Sequence, residues 1–105
     1  MIKVKVKRQN NKVYEIVIKG HAEYDDYGKD IVCAGVSALV LNTINSIEEF
    51  TEDKFSCAQE EKSGLVEFVI VSEVSKEASL LMDSLFLGLM NIQHDYGKRF
   101  ITVKA

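Results

Sequence analysis

The sequence predicts an α+β domain: a mostly antiparallel sheet with two helices, in the order ββαββαβ. Two observations carry this prediction. Residues 2–8 alternate strictly between apolar and basic, the period-two signature of a half-buried strand. Two longer segments, beginning near Ile31 and Ser75, instead space their apolar residues at helical intervals. With 105 residues and 47% apolar content, residues 1–105 form one domain around one core.

In chain order, Asn10-Asn11 suit the positive-φ positions of a tight hairpin, which pairs residues 2–8 with Val13 to Ile18. The first helix runs from Ile31 to near Thr51, with Val32, Val36, Leu39, Val40, Thr43, Ile47 and Phe50 as its core stripe. Phe55 to Gln59 reads as a short strand, 60–64 as a turn, and Leu65 to Val71 as a β-branched fourth strand. Ser75 caps the second helix, whose core stripe is Ala78, Leu81, Leu85 and Leu89. Gly97 closes that helix, and Phe100 to Val103 is the last strand. Helices laid on one face of the sheet bury the apolar stripes of both. Apolar residues outside the second stripe, among them Leu80, Met82, Phe86 and Leu87, suggest cover by a second copy and hence a homodimer.

Composition excludes several classes. The net charge of −3 argues against strong phosphate binding. The lysines of residues 3–7 alternate with apolar residues and read as the solvent face of a strand, so no nucleic-acid partner is expected. No segment reads as a bilayer span of roughly 20 apolar residues, so no membrane partner is expected either. Two cysteines and no signal peptide point to a reducing cytoplasm. His21, Cys33, Cys57 and His94 match no paired ligand spacing, so neither metal nor cofactor is expected. Cys57 reads as structural, and His94 as a favourable charge at a helix C-terminus.

The chemistry concentrates between residues 20 and 37. His21 stands where a strand ends, and Cys33 stands in the first turn of a helix. Unpaired N–H groups and the helix dipole there favour thiolate over thiol, and an imidazole within reach completes a cysteine nucleophile. The bland alternatives are a buried small hydrophobe and a polar strand end. Asp30 occupies the N-cap position, with orientation of His21 as its other reading. Ser37 lies one turn beyond Cys33, and its hydroxyl reaches either the site or the Cys33 carbonyl. Between the glycine hinges Gly20 and Gly28, a loop with Ala22, Tyr24 and Tyr27 reads as a substrate-binding lid without an apolar anchor.

Gly20-His21-Ala22, then Gly28, then Asp30-Ile31-Val32-Cys33-Ala34-Gly35-Val36-Ser37 closely resembles the ribosomal-processing cysteine protease (Prp) family of bacteria. The resemblance covers essentially the whole chain. Gly35 departs from the alanine more usual in that motif. The resemblance implies an endopeptidase that removes the N-terminal extension of a large-subunit ribosomal protein during ribosome maturation. It implies Cys33 as nucleophile, His21 as base, Asp30 and Ser37 beside the site, and a homodimer. Helix-start amides are the expected oxyanion donors. Competing readings are a non-catalytic ribosome-assembly or peptide-binding module, which needs no acidic thiol, and a redox sensor, which needs no His21.

Overall fold

The computed structural model describes residues 1–26 and 28–105. Strands β1 (Ile2–Gln9) and β2 (Lys12–Lys19) form the first hairpin, followed by helix α1 (Ile31–Phe50). A second hairpin, β3 (Phe55–Glu60) and β4 (Leu65–Ile70), leads into helix α2 (Lys76–Tyr96) and the last strand β5 (Ile101–Lys104). The order ββαββαβ is the predicted one. Asn10 and Asn11 take φ of 53° and 66°, as the tight first turn demands.

The sheet runs β3-β4-β2-β1-β5. Three of its pairings are antiparallel, but β5 lies parallel to β1, so the sheet is mixed. Alternation in β1 buries Ile2, Val4 and Val6 and exposes Lys3, Lys5 and Lys7. That buried face meets both helices in one cluster, with Ile16, Phe68, Ile47, Met82 and Leu89 among its fully enclosed members.

Several stripe residues need correction. In α2, Met82 is buried where Leu81 was expected, and Leu81 is half-buried. In α1, Leu39 is half-buried and Phe50 is 72% exposed at the helix end. By length and composition α1 would also span a bilayer, contrary to the expectation for this chain. Its Val32, Val36, Val40, Ile44 and Ile47 are instead buried in the common core, the position of a core helix.

The two hairpins pair through β2 and β4, and beyond the end of that ladder they touch again at the β3–β4 turn. Gly20 N–H donates to the Ser63 carbonyl at 3.0 Å, and a Cβ on Gly64 would collide with the Gly20 carbonyl. Gly64 also sits at φ +68°, where side chains are strained. Gly64→Ala is therefore expected to cost about 1–3 kcal/mol in urea unfolding. Gly28→Ala has a similar φ of +87° but nothing near the added carbon, so it should cost less. Equal losses would show that the hairpin contact contributes nothing.

Candidate active site

At the end of β2 the chain turns through Gly20, at φ 88°, and presents His21 to the β3–β4 turn. There the His21 Nε2–H donates to the Lys62 carbonyl at 3.0 Å. Among the described residues, no hydrogen bond joins His21 to Cys33. The two side chains line the same cleft, but the imidazole rests on the opposite hairpin.

Asp30 is the N-cap of α1. One carboxylate oxygen accepts from the N–H groups of Val32 and Cys33, both at 3.0 Å, and the other accepts from Tyr24 N–H at 2.9 Å. The capping role foreseen for Asp30 is thus present, and the carboxylate also ties the loop to the helix. Burial opposes its ionisation, but the N–H groups of Cys33 and Tyr24 outweigh it and hold the carboxyl below its ordinary value of 3.8.

Cys33 is half-buried, and its sulfur accepts from Ala22 N–H at 3.2 Å. The expected acidic thiol is not found in this arrangement. Burial pushes the Cys33 thiol up, and the Asp30 charge adds to it, while the Ala22 and Glu23 amides only partly compensate. Asp30 takes the very N–H groups that were to stabilise thiolate, and brings a negative charge with it.

The cleft measures about 420 Å³ and is bounded by Gly20 and His21, by Cys33, Val36, Ser37, Val40 and Leu41 of α1, and by the second hairpin. Ile2, Ile18, Leu65 and Val66 contribute apolar surface, and Gln59, Glu60 and Glu61 add a polar wall. An apolar enclosure with few polar groups suits a peptide side chain beside a reactive thiol. Ser37 is exposed and faces this cleft, and among the described residues it makes no bond back to the Cys33 carbonyl. Thr43, by contrast, bonds back to the Leu39 carbonyl at 2.8 Å.

Of the predicted site residues, Gly20, His21, Cys33 and Ser37 share the cleft, whereas Ala22, Tyr24, Gly28 and Asp30 do not line it. Ala22 is buried at 2% exposure behind it. Tyr24 packs edge-on against Tyr96 and Phe100, with ring centroids 5.5 and 5.0 Å away. The first part of the loop therefore has the apolar anchor that the sequence was read as lacking. Tyr27, proposed for the lid, lies outside the described residues. Cys57, read as structural, is exposed on edge strand β3. The contribution of residues 59–66 was missed; its one sequence signal is Gly64 in a turn.

The Asp30 geometry makes a pH prediction. Its folded-state pKa lies below the unfolded value of about 3.9, so its stabilisation is complete above that value. It is lost as pH falls through the lowered folded-state pKa. Asp30→Asn should cost about 1 kcal/mol at neutral pH. The difference from wild type in urea unfolding should vanish in strong acid. A difference that persists unchanged to pH 2 would show that the carboxylate charge is immaterial.

A cysteine and a histidine bordering one largely apolar cleft, at the start of a capped helix, fit the chemistry of a cysteine hydrolase. The chain belongs to the cysteine protease Prp family, whose model matches residues 1–101. It is 30% identical over 87 residues to the ribosomal processing cysteine protease Prp of Staphylococcus aureus, covering 83% of this chain and 82% of that protein. The crystal structure of the S. aureus essential ribosomal processing protease Prp with a covalently linked product peptide superposes with a TM-score of 0.93. That match has 28% identity and covers 99% of this chain and 98% of the other. The same S. aureus protease with a substrate peptide gives a TM-score of 0.86 at 27% identity, with both chains covered in full.

Proposed function

We propose that this chain is a cysteine endopeptidase that removes the N-terminal extension of a large-subunit ribosomal protein during ribosome maturation. The observation that carries the reading is the shared cleft: Cys33 and His21 border one apolar pocket open to a peptide. The likeness to S. aureus proteases holding substrate and product peptides supports the same use of that pocket.

In this mechanism a bound peptide draws His21 off the Lys62 carbonyl and toward the sulfur. His21 takes the Cys33 proton, and the thiolate attacks the scissile carbonyl carbon. The tetrahedral intermediate collapses as His21 returns the proton to the leaving amine nitrogen, which leaves an acyl-thioester on Cys33. Water, deprotonated by His21, then adds to the thioester carbon; the C–S bond breaks, the carboxylic acid product leaves, and His21 returns the proton to the Cys33 sulfur. Asp30 fixes the helix start, and Ser37 offers a hydroxyl one turn along the cleft. Gly20 and Gly28 bound the segment proposed to meet substrate, and its Ala22 and Tyr24 stay seated while the His21 side chain moves.

The working form is a homodimer in the cytoplasm, without cofactor. Leu80 and Leu87, two helical turns apart on α2, are 70% and 61% exposed and supply an apolar face for the second copy. Both cysteines are free thiols, in keeping with a reducing compartment. The test is incubation with a ribosomal protein bearing its extension, read by mass spectrometry. One cut within the extension is the expected result. Binding without any cut would leave a peptide-binding module instead.

A further inference from the structure

The start of α1 is the obvious source of oxyanion donors, but Asp30 already uses it. Val32 and Cys33 N–H both donate to the Asp30 side chain at 3.0 Å, and Ala34 N–H donates to the Asp30 carbonyl at 3.0 Å. The N–H that meets the reacting atom comes from the loop instead: Ala22 donates to Cys33 Sγ at 3.2 Å. Glu23, held at φ 58°, brings the next amide toward the same sulfur. Successive amides around a left-handed residue form a concavity suited to an anion. The side chain of Ala22, 2% exposed, fixes that peptide in place.

We infer that the N–H of Ala22, assisted by that of Glu23, is the oxyanion hole of this enzyme, an inference that rests on the protease reading above. As Sγ bonds the scissile carbonyl carbon, the carbonyl π pair moves onto oxygen. That oxygen lies about 3 Å from nucleophile and donor alike. Sulfur loses its negative charge in the same step, so the amide that served sulfur passes to the oxyanion. Asp30 assists by keeping the helix amides occupied and the loop seated, through its bond from Tyr24 N–H.

Cys33 permits a direct test, because the full chain can be assembled by ligating residues 1–32 to residues 33–105 at its own thiol. In one version residue 22 is lactate, so an ester oxygen replaces the Ala22 N–H and the side chain is unchanged. The ester is expected to lower kcat about 10²-fold with little change in KM. Affinity for a substrate-derived peptide aldehyde, whose adduct oxygen occupies the oxyanion position, should fall by a similar factor. Alkylation of Cys33 by iodoacetamide, which creates no oxyanion, should fall far less. An unchanged kcat, or equal losses in turnover and alkylation, would overturn the inference while leaving the protease reading intact. If the unmodified ligated chain does not cleave, the protease reading falls and this inference with it.

Discussion

Cys33→Ala is expected to abolish cleavage of the extension, a loss of at least about 10⁴-fold, without unfolding the protein. The size follows from the proposed chemistry: the sulfur forms the covalent intermediate, and among the described residues no other thiol borders the cleft. The fold tolerates the change because Cys33 is only half-buried and Ala removes a single heavy atom. Cys57→Ala is the matched control. That thiol is exposed on an edge strand outside the cleft, so activity should be retained. Normal turnover by Cys33→Ala, measured with the same substrate, would dispose of the covalent mechanism.

His21→Ala is expected to lower kcat by about 10²–10⁴-fold, the usual contribution of a general base. It should nevertheless leave the alkylation of Cys33 in the free enzyme almost untouched. The imidazole bonds the Lys62 carbonyl there, and burial and Asp30 keep the thiol above its ordinary value. Alkylation of free wild-type Cys33 should therefore be slow below pH 7, slower than at exposed Cys57. In the proposed mechanism a resting thiol of this kind protects other proteins, because His21 is to engage only when peptide enters. Fast alkylation that depends on His21 would show the imidazole already at the sulfur, and the resting arrangement would have to be abandoned.

Most of the fold is legible in the sequence because its signals are local. Alternation at Ile2, Val4 and Val6, the paired asparagines at 10 and 11, and the Ser75 cap each state their own geometry. Met82 against Leu81 is harder. Adjacent apolar residues on a wide stripe differ in burial only through what packs against them. The parallel pairing of β5 with β1 likewise depends on where α2 delivers the chain. At the site, the motif locates His21, Cys33 and Ser37, and Asp30 announces itself as a cap. The cap position already implies one competition, and the fold adds another. Asp30 satisfies the amides that were to activate the thiol, and the Lys62 carbonyl, 41 residues away, holds the histidine. The first is the local geometry of a cap, whereas the second has no pattern along the chain. The raised thiol follows from burial, which only the fold reveals, and from the Asp30 charge three residues before it.

The most direct test is to catch the covalent intermediate. Enzyme mixed with substrate peptide and quenched in acid within one turnover should gain the mass of the N-terminal acyl fragment. Digestion should place that mass on Cys33 as a thioester cleaved by hydroxylamine. Single-turnover cleavage with no adduct at Cys33, or with the adduct on another residue, would contradict the account.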